Sequence, residues 1–154
     1  MSITIQVNKK FTQIQFNAAR LQKLIKKVCR HFNIQNVVIE IAIVGDSQIR
    51  KLNRKFLSRN RTTDCISFDL TEHNSAVKLY QIVVNAQKAG REAKKRCHSQ
   101  EAELTLYIIH GLLHNLGFDD KNQKKAVSMH KTEDRFLQQL GYGLVYNNEQ
   151  KKCR

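Results

Sequence analysis

The chain has 154 residues, 41% of them apolar, which is enough for one compact domain with a hydrophobic core. Lysine and arginine number 27 against 13 acidic residues, and the formal net charge of +14 favours a polyanionic partner, with nucleic acid preferred to a membrane surface. No segment approaches the roughly 20 apolar residues of a membrane span, so a membrane-spanning helix is excluded.

The N-terminal half of the chain predicts two strands and two helices. Residues 3–7 alternate between apolar and polar side chains, as a half-buried strand does. Asn17 is a suitable N-cap for a helix with one apolar stripe, and residues 37–44 are rich enough in valine and isoleucine to form a largely buried strand. We expect Asp46 or Ser47 to cap the helix that follows.

The C-terminal half predicts two more strands and three helices. The strands are residues 65–70 and 79–84, and the helices are residues 86–96, 99–116 and 123–140. Ser99 is a favourable first cap for the middle helix, and Gly117 is placed to end it. No repeat, linker or proline divides the chain, so residues 1–154 are predicted to form a single α+β domain. In that domain about five helices pack on a small mixed four-stranded sheet.

Two features of the sequence bear on the compartment in which the protein works. Residues 1–10 lack the basic and then apolar layout of a secretory signal, so export is not expected. Cys29, Cys65, Cys97 and Cys153 form no CxxC pair, and we interpret them as reduced thiols rather than as disulfides or a zinc ribbon. The sequence therefore predicts a cytoplasmic protein.

The most informative segment is HGLLHNLGFDD, residues 110–120, because a core helix has no structural need for its polar groups. His110 and His114 are four residues apart, so they project from one helix face and can reach one metal ion. Gly117 permits a sharp turn, after which Asp120 stands where a third ligand belongs. The pattern H-x3-H-x2-G-x2-D has the spacing of the long metzincin motif. It predicts one zinc ion, held at the end of a central helix by these three residues.

Other interpretations of single residues in this segment are common in proteins. One histidine on a helix is more often a hydrogen-bonded core or surface residue, and Asp119 could equally cap the following helix. Two histidines at this spacing, followed by glycine and aspartate, favour a metal site because buried polar groups need partners. The remaining histidines lack such spacing and are interpreted as surface residues: His31, His73, His98 and His130.

Three blocks of the sequence have the order and spacing of one known family. The first is HGLLHNLGFDD, the second is residues 49–68, IRKLNRKFLSRNRTTDCISF, and the third is residues 79–93. Their counterparts are HGxLHLxGYDH, an LN…(F/Y)R…TDVLSF segment, and a strand followed by a helix. The second block keeps Leu52, Asn53, Thr63, Asp64, Ser67 and Phe68. From residue 37 to residue 141 the chain thus resembles the YbeY family of metal-dependent endoribonucleases, the rRNA maturation factors.

The resemblance implies a mixed sheet surrounded by helices, one zinc ion, and cleavage of single-stranded RNA during ribosomal RNA maturation. The implied partners are an rRNA precursor and the ribosome or its small subunit. In this family the residues corresponding to His110, His114 and Asp120 serve the metal and the catalysis, and Asp120 replaces a third histidine. With one carboxylate the site keeps one positive charge rather than two, so we expect a weaker Lewis acid.

Four further positions depart from the family pattern. The arginine of the second block falls on Leu57, the proline before Thr-Asp is Thr62, and the Gly-Asp pair of the third block falls on Tyr80 and Gln81. A guanidinium suits the charge of a phosphate, and Arg59 or Arg61 is the candidate replacement for the missing arginine.

Two basic segments flank the predicted metal site. Each alone is typical of a solvated helix face, but together they predict a track for an RNA backbone, because RNA binding neutralises phosphates. The candidate RNA-binding residues are Arg50, Arg54, Lys55, Arg59, Arg61, Lys88, Arg91, Lys94 and Lys95.

Three functions compete for this sequence. The leading hypothesis is a zinc-dependent endoribonuclease that acts on single-stranded RNA in ribosome biogenesis. The second is an RNA- or ribosome-binding assembly factor with weak or no nuclease activity. The third, a small metallopeptidase, is disfavoured because Gly111 stands where such enzymes carry the glutamate that activates the zinc-bound water.

Overall fold

A computed structural model of the chain describes residues 2–11, 13–139 and 141–142. In chain order its elements are β1 (Ile3–Lys9), α1 (Ala18–His31), β2 (Val37–Val44), α2 (Asp46–Leu57), β3 (Cys65–Asp69), β4 (Lys78–Asn85), α3 (Ala86–Arg96), α4 (Gln100–Asn115) and α5 (Gln123–Gln139). These boundaries agree with the predicted ones to within two residues. Over the described ranges the chain has four strands and five helices, so the predicted α+β class is confirmed.

The four strands form one mixed sheet in the order β1-β2-β4-β3. The β1–β2 and β2–β4 pairs are parallel, whereas β3 runs antiparallel to β4. Side chains of β2 alternate between the two faces, because successive residues of a strand point in opposite directions. Ile39, Ile41 and Ile43 enter the larger core, while Val44 on β2 and Val83 on β4 belong to a smaller core that packs against α2.

Helix α4 is the central helix of the larger core. Ser99 caps its first turn, with the side-chain oxygen accepting a hydrogen bond from the amide of Ala102 at 3.1 Å, as predicted. Its middle is buried on nearly all sides, and its partly exposed positions are in the first turn and from His110 onward. Gly117 follows with a φ of 98°, a left-handed conformation that glycine adopts without strain. Although α4 is strongly apolar, no helix of the described residues is long and apolar enough to cross a membrane.

Gly111 lies at the closest contact between α4 and the sheet. A Cβ atom at this position would stand 2.8 Å from Cγ2 of Ile82 on β4 and 3.0 Å from Sγ of Cys65 on β3. Both separations are shorter than ordinary van der Waals contact, so only glycine lets the helix backbone approach this near. A packing constraint thus accounts for the residue that follows the first histidine of the motif.

The start of α2 differs from the expectation. Gly45 occupies the N-cap position, and no side chain caps the helix there. Asp46 is instead the first helical residue, and its carboxylate accepts hydrogen bonds from Arg91 and Asn85 on distant parts of the chain. The predicted cap by Asp46 or Ser47 is therefore wrong, because tertiary partners compete for the aspartate.

The cysteines that the structure describes differ in their oxidation state. Cys29 is a buried free thiol and Cys65 a half-buried free thiol, as expected. Cys97 is disulfide-bonded, so the interpretation as a reduced thiol is wrong at this position, since sequence spacing does not report spatial proximity. Cys153 lies outside the described residues.

We predict that Gly111→Ala destabilises the protein by about 1–3 kcal/mol, because the new methyl group overpacks the contact with Ile82 and Cys65. Gly90→Ala on α3 is the matched control. Its Cβ would meet only the end of the flexible Gln100 side chain, at 3.0 Å, so the helix preference for alanine should make it neutral or stabilising by up to about 1 kcal/mol. Urea unfolding in the presence of a chelator measures both. Equal stability of the two variants would contradict the packing argument.

Candidate active site

The three predicted metal-binding residues converge at the C-terminal end of α4. The Nε2 atoms of His110 and His114 are 3.0 Å apart. The carboxylate oxygens of Asp120 lie 3.8 Å from Nε2 of His110 and 3.9 Å from Nε2 of His114. One ligand atom from each residue falls within 4.8 Å of the other two, so the group could hold a metal ion.

A tight turn after α4 returns Asp120 to the two histidines. The amide of Gly117 donates to the carbonyl of His114 at 3.1 Å, and the amide of Phe118 donates to the carbonyl of Leu113 at 3.0 Å. The turn thereby reverses the chain within three residues of the helix end. Asp119 points elsewhere, since its carboxylate accepts from the backbone amide and the side chain of nearby lysines.

The second ring nitrogen of each histidine is held by an acceptor. Nδ1 of His110 is hydrogen-bonded to the carboxylate of Glu133, and Nδ1 of His114 donates to the carbonyl of Phe118 at 3.1 Å. A carbonyl or carboxylate oxygen accepts only, so in a neutral ring the proton resides on Nδ1. The lone pair of each neutral imidazole is then on Nε2 and points toward the other ligands. Metal-binding histidines in proteins have this arrangement.

Glu133 on α5 is the residue that the sequence interpretation missed. Its side chain is 0% exposed, and it also accepts a hydrogen bond from Nδ1 of His130 at 2.8 Å. Burial alone would raise the pKa of Glu133, but the hydrogen bonds and charges of the two histidines outweigh burial and hold that pKa below its usual range. For His110 the directions are reversed. Burial acts to lower its pKa, but the hydrogen bond and the charge of Glu133 outweigh burial and raise the pKa of His110.

The sequence predicts His98 and His130 at the surface, and that prediction is wrong for both. The side chain of His130 is only 14% exposed and binds Glu133, and that of His98 is 10% exposed and pairs with the buried Glu103. A usable signal was present in α5, where an acidic residue, Glu133, lies on the same helix stripe as the buried Met129 and Phe136. An acid on an apolar stripe predicts a buried partner.

The donor set fits a zinc ion. Zn–N bonds of about 2.0–2.1 Å at a tetrahedral angle place two nitrogens about 3.3 Å apart, close to the 3.0 Å between the rings of His110 and His114. The Asp120 carboxylate is close enough to complete a three-ligand set after a small approach. Two imidazoles and one carboxylate are ordinary zinc ligands, and a fourth position is left for substrate.

The protein has a cavity at this site and a second, larger cavity that none of the three converging residues lines. One of about 210 Å³ is bordered by His110, Glu133, Asp64 and Lys88. The other, of about 730 Å³, lies between α2, α3 and the loop before β3.

The predicted RNA-binding residues separate into three groups. Arg50, Arg54, Arg61 and Arg91 line the larger cavity, and Lys88 lines the smaller one. The other four line neither cavity: Lys55, Arg59, Lys94 and Lys95. Of the two candidates for the family's missing arginine, Arg61 lines the larger of these two cavities and Arg59 lines neither.

Comparison with known proteins identifies the family. A family model described as Endoribonuclease YbeY matches residues 4–141. The protein of that name from Syntrophus aciditrophicus (strain SB) is 30% identical, over 95% of this chain and 96% of its own length. Those from Chlorobium phaeovibrioides and Buchnera aphidicola subsp. Schizaphis graminum are 31% and 33% identical, and each alignment covers more than nine-tenths of both proteins.

A solved structure supports the fold. The solution structure of TM1509 from Thermotoga maritima superposes with a TM-score of 0.58, covering 90% of this chain and 89% of that one. Its sequence identity of 24% makes it informative about the architecture alone. Together with the extent of the family match, these relatives show that the chain belongs to the YbeY family of endoribonucleases and is a nuclease hydrolase.

Proposed function

We propose that this endoribonuclease depends on one zinc ion, cleaves single-stranded RNA and acts in ribosomal RNA maturation. The observation that carries the proposal is the convergence of two Nε2 atoms and one carboxylate, with both Nδ1 positions occupied by acceptors. The formal net charge of +14 supports a polyanionic substrate.

In this proposal His110, His114 and Asp120 hold the ion and are the catalytic residues. Two neutral imidazoles and one carboxylate leave the loaded site with one net positive charge. A bound zinc ion supplies Lewis-acid stabilisation of the charge that develops on the phosphate. Glu133 keeps the proton of His110 on Nδ1 and the ring in a fixed orientation, so that the Nε2 lone pair is available.

The proposal also covers the partners of the protein, its location in the cell and the extent of its domain. We propose an rRNA precursor and the ribosome or its small subunit as partners, a cytoplasmic location, and a single domain that spans residues 1–154. They are supported by the family to which the chain belongs and by its basic composition.

Metal analysis and RNA cleavage, measured side by side, test the ligand assignment. Purified protein should hold about one zinc per chain, and His110→Ala, His114→Ala and Asp120→Ala should each lose zinc and nuclease activity while retaining RNA affinity. Asp119→Ala is the matched control and should keep both, since its carboxylate faces Lys125 and the amide of Lys121. If the histidine variants keep a full equivalent of zinc, the assignment is wrong. If wild-type protein binds RNA without cleaving it, the assembly-factor hypothesis is favoured.

Glu133→Gln tests the orienting role of the buried carboxylate. The substitution keeps the shape but removes the charge, and loss of such a partner typically weakens metal binding about 10–100-fold. His130→Gln removes only the second neighbour of Glu133 and should weaken zinc binding less. Competition with a fluorescent zinc chelator gives both affinities, and circular dichroism checks that each variant is folded. Equal zinc affinity in Glu133→Gln and wild type would rule out the role.

Zinc affinity should depend on pH, because a proton and the ion compete for the imidazole of His110. Glu133 raises the pKa of His110 above its ordinary value of about 6.5, so the loss of affinity on acidification should begin above that pH. Chelator competition between pH 8.5 and 5.5 measures the onset. An affinity that stays constant down to pH 6 would contradict the raised pKa.

A further inference from the structure

The larger cavity carries a strong excess of positive charge. Its volume is about 730 Å³, and five cationic side chains line it against one carboxylate, that of Asp46. The cations are Arg50, Lys51, Arg54, Arg61 and Arg91. No aromatic ring is among the lining residues, so the cavity lacks the aromatic platform on which proteins commonly stack nucleobases.

One of the five cations is already neutralised. Arg91 donates two hydrogen bonds to the carboxylate of Asp46, at 2.7 and 2.9 Å. These bonds are the main reason that the pKa of Asp46 is lowered to about 2, so the carboxylate stays ionised and the pair stays formed at neutral pH. Arg91 therefore forms part of the cavity wall, and its charge is not available to bind a ligand.

The other four cations remain uncompensated. Arg50 donates to the side-chain oxygen of Asn60 at 3.0 Å, a neutral partner that leaves its charge in place. Lys51, Arg54 and Arg61 form no ion pair within the described part of the chain. Four positive charges around one concavity repel each other, and such a site is stabilised by an anion of several charges.

The cavity adjoins the one beside His110. Thr62 lines the larger cavity and Asp64, two residues later, lines the smaller one. On α3, Arg91 faces the larger cavity while Lys88, one turn earlier, faces the smaller. The two spaces are therefore bordered by the same loop and the same helix.

A buried asparagine fixes this shared border. Asn85 is 0% exposed, and its side-chain amide donates to Asp46 at 2.7 Å, to the hydroxyl of Thr62 at 3.2 Å and to the carbonyl of Thr63 at 3.2 Å. Its side-chain oxygen accepts hydrogen bonds from the backbone amides of Gln87 and Lys88 in the first turn of α3. The walls of the cavity are thus held in place before any ligand arrives.

We propose that the larger cavity is a subsite for the backbone phosphates of the RNA strand on one side of the cleaved bond. The proposal rests on the function proposed for the metal site, and it adds a second, separate contact for the same strand. Arginine suits this role because its guanidinium can donate two hydrogen bonds to one phosphate. The subsite binds phosphates without reading bases, and the strand passes from it along the loop that ends at Asp64 to His110.

The test is a double variant, Lys51→Gln with Arg54→Gln; both residues line the cavity, and neither substitution removes an ion pair of the described residues. Lys23→Gln with Lys27→Gln on α1 removes the same charge from exposed positions outside both cavities. Binding of a labelled single-stranded RNA of about 20 nucleotides is read by stopped-flow anisotropy, before cleavage, at several salt concentrations. Zinc content and hydrolysis of bis(4-nitrophenyl) phosphate, a diester without flanking phosphates, are measured in parallel.

We expect the Lys51/Arg54 variant to bind the RNA more weakly, by roughly tenfold or more. Its plot of log affinity against log salt should be shallower by about 0.7 for each phosphate that the protein no longer neutralises, or about 1.4 for two. Zinc content and diester hydrolysis should match the wild type. The Lys23/Lys27 variant should show a much smaller change in affinity and salt slope.

Three outcomes would overturn the proposal. In the first, the Lys51/Arg54 variant binds RNA no differently from the Lys23/Lys27 variant. In the second, it loses zinc or diester hydrolysis, which would make the cavity part of the metal site. In the third, inorganic phosphate or a mononucleotide displaces the RNA at the concentration at which an oligonucleotide does, so the cavity is a site for a free phosphate. RNA binding and RNA cleavage are measured separately. Wild-type protein that binds RNA but cleaves nothing would therefore contradict the proposed nuclease function and leave the proposal of a phosphate subsite intact.

Discussion

The close packing of α4 against β3 and β4 is the constraint on which the rest of the site depends. Gly111 allows the helix backbone to approach Ile82 and Cys65, and the residues on either side of it, such as Ile109 and Leu112, are fully buried. A helix held in this way cannot rotate or slide without opening cavities that cost several kcal/mol. The core therefore positions the end of the helix that carries the two imidazoles, whereas Asp120 lies on the turn beyond it.

A second constraint joins α5 to the site through a buried charge. An ionised carboxylate without partners is costly inside a protein, and Glu133 is tolerated because His110 and His130 both donate to it. The same contacts orient the ring of His110. Stability and function are thus coupled here, since the hydrogen bonds that make the buried glutamate acceptable also decide which nitrogen of His110 faces Asp120.

The secondary-structure elements and the His110–His114 pair can be predicted from local sequence patterns. The contact of His110 with Glu133 cannot, because it joins distant parts of the chain. Strand and helix periods locate every described element, and the four-residue spacing of His110 and His114 is a local property of a helix. Glu133 escaped prediction because its partner lies 23 residues away on another helix. The predicted helix cap at Asp46 fails for the same reason, since Arg91, its main partner, is 45 residues distant in the chain. Sequence spacing carries no information about such pairs unless they share one element.

The unequal exposure of the three converging residues has a kinetic consequence. The side chain of Asp120 is 46% exposed, against 16% for His110, so one side of the site is open to solvent. An ion held there would detach first from the aspartate, the most exposed of the three ligands, while the half-buried imidazoles keep their geometry. Exchange would then require no unfolding of the core. In the proposed zinc enzyme, a change in the free metal concentration would therefore alter the fraction of loaded protein without the delay of an unfolding step.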